Sequence, residues 1–207
     1  PVEQVATPEG YARNPELVIN FYNERRKQLL DVVPNAGHLG VADLERDFNV
    51  TVVTQNVDNL HERAGSTHVI HLHGELTKVC SSRDPYNPHF VKELAPEEYE
   101  VKLGDKAGDG TQLRPFIVWF GESVPEIETA IRYVEQADIF VIIGTSLNVY
   151  PAAGLLNYVP RAAEVYLIDP KPVDTHVMRP IHVIQKGASE GVKELKALLA
   201  ATQPPLP

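Results

Sequence analysis

The stretch Ile139–Gly144, IFVIIG, decides the fold because an unbroken apolar run ends at a glycine. Strands of a parallel sheet covered on both faces carry such continuous runs, whereas half-exposed strands alternate apolar with polar residues. The stretch therefore predicts a strand that is buried on both faces. Its terminal glycine lets the backbone approach a ligand closely at the end of the strand.

Further strands and helices are predicted on both sides of this run. The strands are Val50–Thr54, His68–Leu72, Pro115–Phe120, Glu164–Ile168 and Val183–Ile184, and the helices are 14–30, Ala36–Asp47, Glu126–Gln136, Pro151–Tyr158 and Glu190–Ala201. Alternation of strands with helices predicts an α/β fold with a doubly wound parallel, Rossmann-like sheet.

Residues 80–113 differ from the rest of the chain, since they are polar and rich in proline, glycine and charge. A structureless loop of this length is uncommon inside a compact domain, so this segment is predicted to be a smaller inserted module. The predicted organisation is a helical part over 1–50, a Rossmann-like domain over 51–79 and 114–207, and the insert over 80–113.

The composition excludes several classes of function. The 207 residues carry a net charge of -9, which argues against the basic surface of a nucleic-acid binder. An acidic surface serves solubility, or it suits a basic partner such as a lysine-bearing protein. No apolar run is long enough to cross a membrane. The single cysteine, Cys80, excludes an intrachain disulfide and a cysteine-based zinc site, and it favours a reducing, cytoplasmic location.

Polar or glycine-bearing residues directly follow four of the predicted strands. They are Gln55–Asp58, Gly121–Glu122, Gly144–Ser146 and Asp169–Lys171. Ligands of such sheets bind at the carboxyl ends of the strands, so these positions are predicted to line a site. Taken singly, Gly144–Ser146 is equally well a plain strand-to-helix turn, and Asp169 is either a ribose ligand or the start of an Asp-Pro turn.

The stretch from Thr54 to Gly74, TQNVDNLHERAGSTHVIHLHG, mixes amides, carboxylates and imidazoles with short apolar runs. His71 and His73 are two apart on a predicted strand, so both are expected on one face. A metal pair is conceivable, but no nearby residue completes a zinc site with the usual spacing, and no metal is predicted. A histidine at this strand end suits a general base, although a satisfied core histidine is the commoner case.

Tyr22 and Arg25 stand out on the first long helix. Val18, Phe21, Tyr22, Arg25 and Leu29 form one face of the helical wheel, with the arginine in its middle. An arginine on such a face requires an anion or must reach water. It either pairs with an internal carboxylate or lies at a pocket, where Tyr22 and Arg25 together grip the carboxylate of a ligand.

With these residues identified, the chain resembles the sirtuins, a family of NAD-dependent protein-lysine deacylases. TQNVDNLHERAG, HLHGEL, VWFGE, GTSLNVYPAA and KGAS occur in the family's order between Thr54 and Ser189. Phe21, Tyr22 and Arg25 resemble the element of the bacterial-type branch that prefers succinyl and malonyl groups over acetyl. The resemblance implies removal of acyl groups from protein lysines with NAD as cofactor, giving nicotinamide and O-acyl-ADP-ribose.

The resemblance also implies roles for individual residues. NAD contacts fall on Gln55, Asn56, Val57 and Asp58 at the nicotinamide side, on Gly144, Thr145 and Ser146, on Asp169, Pro170 and Lys171 near the adenosine ribose, and on Ala188 by the adenine. Acyl-lysine contacts fall on Phe120, Gly121, Glu122 and Val149, and the acyl carboxylate is held by Tyr22 and Arg25. His73 is implied as the general base that takes a proton from a ribose hydroxyl.

The chain departs from the family's pattern in two respects. Sirtuins usually carry four cysteines in a zinc module between HGEL and FGE, whereas this chain has only Cys80 there, so zinc is not expected. The family's GAGxS element and its following SGIxxFR segment, which cradle the NAD phosphates, precede the matched region. Because this chain starts after them, it is expected to lack the first strand and half of the NAD pocket, and to be poorly active.

Two other functions remain open at this point. One is a non-catalytic NAD or ADP-ribose binding module, which includes an inactive fragment of the deacylase. The other is a relative that acts on a free small acyl compound.

Overall fold

Strands and helices alternate along the described chain, which in this computed structural model comprises residues 1–145, 152–173 and 179–202. The strands are β1 Val52–Thr54, β2 Val69–His71, β3 Gly74–Ser81, β4 Lys92–Glu93, β5 Leu113–Ile117, β6 Ile139–Ile143, β7 Glu164–Ile168 and β8 His182–Ile184. The helices are α1 Val2–Val5, α2 Pro8–Arg13, α3 Pro15–Leu29, α4 Ala36–Asp43, α5 Leu60–Ala64, α6 Ile127–Val134, α7 Ala152–Leu156 and α8 Ala188–Thr202. None of the helices in these ranges is both long and apolar enough to cross a membrane.

The chain divides into two compact units. Unit 1 comprises Pro1–Val33, Val53–Leu60 and Val69–Glu126, and unit 2 comprises Pro34–Val52, His61–His68 and Ile127–Pro207. β1 and β2 form a two-stranded sheet. The larger sheets belong to one unit each.

Unit 2 contains the parallel sheet that the apolar run predicts. Its strand order is β6-β7-β8, and Ile139 pairs with Glu164 at the start of the first ladder and Ile143 with Ile168 at its end. Because all three strands run in one direction, their carboxyl ends meet at one edge, where Gly144 and Asp169 follow β6 and β7. The predicted α/β class with a parallel sheet is confirmed.

α8 packs closely on this sheet. The shared core comprises Val192, Leu195 and Leu199 of the helix with Tyr166, Ile168 and Ile184 of the strands. A Cβ at Gly191 would lie only 2.2 Å from Cγ2 of Ile168, so the helix reaches this distance because the position is glycine. The packing sets where α8 begins relative to the carboxyl edge of the sheet.

Unit 1 contains an antiparallel sheet that corrects part of the sequence prediction. Its order is β4-β3-β5, with Val79 opposite Pro115 and Cys80 opposite Arg114. The strand expected at Pro115–Phe120 is therefore Leu113–Ile117, and its partner β3 was not predicted. The two strands are joined by more than thirty residues of polar chain, so their pairing is a long-range contact that local periodicity does not reveal.

α3 covers the antiparallel sheet, and its buried face differs from the predicted one. The buried residues of α3 are Val18, Ile19, Tyr22, Asn23 and Arg26. Arg25 is exposed and Phe21 is 37% exposed, so the expectation that Arg25 lies on the core-facing stripe is wrong. The helix rotates to bury Ile19, which packs with Val79 and Val101, and this turns position 26 inward and position 25 outward.

Asn23 and Arg26 attach the long polar segment to α3 by hydrogen bonds. Asn23 Nδ2 donates to Val101 O at 2.8 Å, and Val101 N donates to Asn23 Oδ1 at 2.9 Å. Arg26 Nε donates to Tyr99 O at 2.8 Å, and Arg26 Nη2 donates to Asn23 Oδ1 at 2.6 Å. Burial lowers the pKa of Arg26 to about 10, so the guanidinium remains a cation at neutral pH. The segment near Val101 is thereby fixed to the helix through buried polar groups.

Substitution Asn23→Ala is expected to lower the free energy of unfolding by roughly 3 kcal/mol, because it leaves the buried N–H and C=O of Val101 without their partner. The matched control is Asn20→Ala, at an exposed position of the same helix, with an expected change within about 0.5 kcal/mol. Urea denaturation followed by circular dichroism measures both. Equal effects of the two substitutions would contradict the assigned role of Asn23.

Candidate functional site

The loop after β1 carries the predicted NAD contacts of unit 1. Thr54 Oγ1 accepts from Asn56 N at 3.0 Å, and Asp58 Oδ1 accepts from Leu60 N at 3.0 Å, where α5 begins. Gln55 is half-buried and Asn56 is exposed. The side chains of Thr54 and Asp58 therefore fix the backbone of this loop, which holds the amides at the strand end.

Backbone contacts join this loop to β2 and β3. His71 Nδ1 lies 3.0 Å from Asn56 O, and because a carbonyl oxygen only accepts, Nδ1 carries the hydrogen. Leu76 N donates to Val57 O at 2.8 Å, and the Val57 side chain packs against the core cluster that contains Tyr22. His71, at 7% exposure, is thus a buried histidine that positions the loop.

His73 lies in a tight turn, not on the same strand as His71. β2 ends at His71 and β3 begins at Gly74, so the expectation of two histidines on one strand face is wrong. His73 is half-buried, and its carbonyl accepts from Val118 N at 2.9 Å. Gly74 has a φ of +88°, and a Cβ there would lie 2.1 Å from Phe116 O, so only glycine allows this turn.

The hydroxyl of Tyr22 lies inside unit 1, and Arg25 lies at its surface. Tyr22 is 6% exposed, and its hydroxyl oxygen accepts from Trp119 Nε1 at 3.1 Å. The Arg25 guanidinium lies 5.7 Å from the centre of the Phe21 ring. Burial raises the pKa of Tyr22, and the hydrogen bond from Trp119 and the charges of Arg114 and Arg25 offset only part of this rise. Tyr22 therefore keeps its proton at neutral pH.

A buried ion pair connects β5 with the chain that follows it. Arg114 Nη1 donates to Glu122 Oε2 at 3.0 Å, and Nη2 donates to Oε1 at 3.1 Å, with side-chain exposures of 4% and 15%. Glu122 also accepts from Tyr86 Oη at 2.9 Å and from Trp119 N at 2.8 Å. The Arg114 guanidinium lies 3.8 Å from the centre of the Trp119 ring. These contacts hold Trp119–Glu122 in one arrangement.

Each charge of this pair shifts the pKa of the other. Burial alone would raise the pKa of Glu122, but hydrogen bonds from Arg114, Trp119 N and Tyr86 outweigh burial and hold it below its usual range. Burial alone would lower the pKa of Arg114, and the bond to Glu122 outweighs that effect. Burial, together with Glu122, raises the pKa of Tyr86. Both members of the pair are ionised at neutral pH, and their net charge is zero.

Phe120 and Gly121 lie in the sequence between Trp119 and Glu122, two residues of this network. Phe120 is 69% exposed, although its backbone N–H donates to Ala6 O at 3.0 Å. Gly121 is exposed with a φ of +89°, in the left-handed region that glycine adopts without strain. An exposed ring on a fixed backbone is suited to contact a ligand. The internal bonds of Glu122 are part of this support, and its predicted contact with acyl-lysine stays a prediction.

Two of the predicted NAD contacts of unit 2, Gly144 and Asp169, lie at the carboxyl edge of the parallel sheet. Gly144 follows β6 with a φ of +69°, and a Cβ there would meet nothing within 4 Å. Asp169 N donates to Ile184 O at 3.2 Å, while Asp169 Oδ1 accepts from Lys171 N at 2.8 Å. Ala188 is the first residue of α8, and Pro170 and Lys171 are exposed. An open glycine, a carboxylate and a helix start are groups that fit a ribose and a phosphate.

The remaining predicted contacts are Thr145, Ser146 and Val149. Thr145 is half-buried next to Gly144. Ser146 and Val149 lie outside the described residues.

Cys80 does not suit the zinc module of the resembling family. It is the only cysteine of the chain, and it is fully buried. Its Sγ donates to Pro115 O at 3.7 Å, and burial raises its pKa to about 12. The residue after it, Ser81, instead bonds to Asp109 Oδ2 at 2.5 Å and to Thr111 Oγ1 at 3.0 Å.

Sequence reasoning missed the buried network of Tyr86, Arg114 and Trp119. The available signal was Arg114 itself, because a charge inside the apolar run Leu113–Phe120 demands a partner. The run contains no carboxylate, and Glu122 is the first carboxylate after it, one residue beyond Gly121. The network could therefore have been inferred in part, but the contribution of Tyr86 depends on the path of the polar segment.

The known proteins that are similar to this chain are described as Sir2 proteins or as NAD-dependent protein deacylases. A family model described as the Sir2 family matches residues 1–151. A Bacteroides thetaiotaomicron protein named NAD-dependent protein deacylase is 83% identical over 199 residues, which are 96% of this chain and 85% of that protein. A Helicobacter pylori protein of the same name is 46% identical over 194 residues, 94% of this chain and 82% of that protein. The solved structure of a Sir2 homologue in complex with NAD has a TM-score of 0.79 at 35% identity, over 97% of this chain and 78% of that chain.

Substitution Glu122→Gln is expected to lower the free energy of unfolding by roughly 3 kcal/mol at pH 7, because it leaves Arg114 as a buried charge without its counter-ion. The control is Glu126→Gln at an exposed position nearby, which should change stability by less than about 0.5 kcal/mol. Guanidinium denaturation measures both.

The same pair gives a pH dependence with a definite sign. A carboxyl group whose folded pKa is depressed stabilises the fold above its unfolded pKa, and this contribution disappears as the pH falls through the folded pKa. The stabilities of wild type and Glu122→Gln should therefore converge as the pH falls below about 4.5, the ordinary value for this carboxyl. A difference that stays constant down to the acid transition would contradict the ionised pair.

Proposed function

Because this chain belongs to the Sir2 family, we propose that it is an NAD-dependent protein-lysine deacylase that removes succinyl and malonyl groups in preference to acetyl. The observation that carries the acyl preference is the position of Tyr22 and Arg25 on α3. A buried hydroxyl and an exposed guanidinium lie one helical turn apart and interact electrostatically. Both groups donate hydrogen bonds, and a terminal carboxylate is the acyl feature that accepts from both.

Tyr22 and Arg25 disfavour acetyl-lysine because they form no hydrogen bond or ion pair with an acetyl group. An acetyl group ends in a methyl, which neither accepts a hydrogen bond nor balances the charge of Arg25. The guanidinium would keep its water when acetyl is bound, and the Tyr22 hydroxyl would lack an acceptor in a buried position. Selectivity therefore follows from polar groups that only an acidic acyl chain satisfies.

NAD is the proposed cofactor. The amides of Gln55 and Asn56 and the carboxylate of Asp58 are proposed for the nicotinamide and its ribose. For the rest of the NAD molecule we propose Gly144, Thr145, Ser146 and the start of α8 at Ala188. The adenosine ribose is assigned to Asp169, Pro170 and Lys171. When bound, NAD would supply a ribose carbon with nicotinamide as its leaving group, and the ribose hydroxyl whose oxygen finally carries the acyl group. Support comes from the similar Sir2 homologue whose structure contains NAD.

His73 is the proposed general base. A neutral imidazole nitrogen is able to accept a proton from a ribose hydroxyl and later release it. The rigid turn at Gly74 and the bond from Val118 N to the His73 carbonyl support this role, because they limit the positions of the ring. Loop-held bases without such support lose alignment, and alignment is a large part of catalysis.

The proposed substrate is an acylated protein, and its proposed contacts are Phe120, Gly121, Glu122 and Val149. The acidic net charge of -9 suits peptides that carry further lysines and does not suit nucleic acid. The proposal includes no zinc, since Cys80 is the single cysteine and cannot complete a cysteine-based zinc site. It assigns the protein to the reducing cytoplasm.

Substitution His73→Ala is expected to reduce nicotinamide release from NAD and a succinyl-lysine peptide by at least about 100-fold, because the base is lost. The matched control is His89→Ala, at an exposed histidine of the polar segment, which should retain wild-type rates. The whole protein is assayed by chromatography of released nicotinamide. Retention of turnover in His73→Ala would refute this role, and NAD binding by calorimetry without any turnover would favour a binding module instead.

Substitution Arg25→Met is expected to lower kcat/KM for succinyl-lysine by roughly 10- to 100-fold, the value of one charged hydrogen bond, and to leave acetyl-lysine within about threefold. Methionine keeps the aliphatic length and removes the charge. Lys27→Met is the control, because it removes an exposed cation from the same helix. Equal losses on the two acyl groups would count against the carboxylate contact of Arg25.

A further inference from the structure

Trp119 is held rigidly from three sides. Its backbone N–H donates to Glu122 Oε1 at 2.8 Å, and its ring lies 3.8 Å from the Arg114 guanidinium. The Tyr11 ring contacts it at a centroid distance of 5.3 Å. At 2% exposure, the indole is closely packed, which restricts its movement. The position and direction of its N–H group are therefore set by the network around it.

The N–H of this fixed indole points at Tyr22. Trp119 Nε1 lies 3.1 Å from Tyr22 Oη. An indole N–H only donates, so the Tyr22 oxygen is the acceptor of this bond. The hydroxyl has a single hydrogen of its own, and that hydrogen must then point away from Trp119 toward a different acceptor. The bond thus determines the direction in which Tyr22 donates.

We propose that Trp119 is a positioning residue for acyl selectivity, because its indole N–H orients the Tyr22 hydroxyl to donate to the carboxylate of a succinyl or malonyl group. The inference rests on the proposed function. It adds a residue that does not touch the acyl chain and acts through Tyr22. The proposal also gives the Arg114–Glu122 ion pair a role, because this pair holds the indole in the position that orients Tyr22.

The surrounding charges agree with this assignment. Arg114 makes two bonds to Glu122, so its charge is balanced inside the protein and the exposed Arg25 remains as the cation for the acyl carboxylate. Burial raises the pKa of Tyr22, which keeps the hydroxyl hydrogen in place at neutral pH. A buried donor with a fixed direction is worth more than a solvated one, since no water replaces its acceptor.

A purely structural role for the same bond makes different predictions. Trp119 and Tyr22 belong to one apolar cluster with Val18, Leu76 and Ile117, where the bond satisfies two buried polar groups. In that case, loss of the N–H lowers stability and affects every acyl substrate equally. In the positioning role, loss of the N–H raises KM for acidic acyl groups, while kcat and the acetyl reaction stay unchanged.

The experiment removes the indole N–H without removing the ring. Trp119 is replaced by phenylalanine, and separately by 3-benzothienylalanine, in which sulfur takes the place of N–H and the volume is retained. The second variant keeps the test valid if Trp119→Phe does not fold. Steady-state kinetics on the whole protein use succinyl-lysine and acetyl-lysine forms of one peptide at saturating NAD.

The expected result is a KM for the succinyl peptide that rises about 3- to 10-fold, the value of one neutral hydrogen bond, with kcat and both acetyl parameters within about twofold. In a Tyr22→Phe background, the same replacements should leave the succinyl-to-acetyl ratio unchanged, because no hydroxyl remains to orient.

Equal losses on both peptides would overturn the inference, as would an undiminished effect in the Tyr22→Phe background. A wild-type protein that releases no nicotinamide with either peptide would overturn the proposed function and this inference together. An active wild type with an unaffected selectivity in both Trp119 variants would overturn the inference alone.

Discussion

The ion pair of Arg114 and Glu122 is the interaction on which unit 1 depends. Its two charges are buried, and each would be strongly unfavourable without the other. The pair joins β5 to the chain after it, stacks on Trp119 and receives the hydroxyl of Tyr86 from the polar segment. An exposed phenylalanine and a glycine with positive φ are thereby presented on a rigid support. The hydrogen bonds of Arg114 and Glu122 therefore stabilise unit 1 and also hold Phe120 and Gly121 of the candidate site in place.

Polar contacts also attach the long polar segment after Cys80 to the rest of unit 1. Asn23 and Arg26 bind the backbone at Tyr99 and Val101, and Ser81 bonds to Asp109 and Thr111. Each contact uses a buried or half-buried side chain with its partners satisfied, which is the condition for a polar network to add order. The segment after Cys80 is thus attached to α3 and to the antiparallel sheet at several separate points.

The sequence predicted local features well and long-range ones poorly. IFVIIG and EVYLI predicted β6 and β7 because continuous apolar runs signal a covered parallel sheet, and Asn14–Pro15 predicted the start of α3. The sequence did not reveal β3, whose partner lies far along the chain. It predicted the wrong arginine of α3 as inward-facing, since one residue of rotation is decided by tertiary packing of Ile19. The polar residues of the candidate site were predicted from their positions at strand ends, and these roles stay predictions. The network of Tyr86, Arg114, Trp119 and Glu122 depends on the long path of the polar segment, which local sequence patterns do not reveal.

The most direct test of the account compares the wild-type protein on two substrates. Rates of nicotinamide release are measured with NAD and one peptide bearing either succinyl-lysine or acetyl-lysine. We expect release with both, and a kcat/KM for succinyl-lysine at least about 10-fold higher, because Tyr22 and Arg25 are proposed to bind the carboxylate that only the acidic acyl chain carries. Equal or faster reaction of the acetyl peptide, or no release of nicotinamide with either, would contradict it.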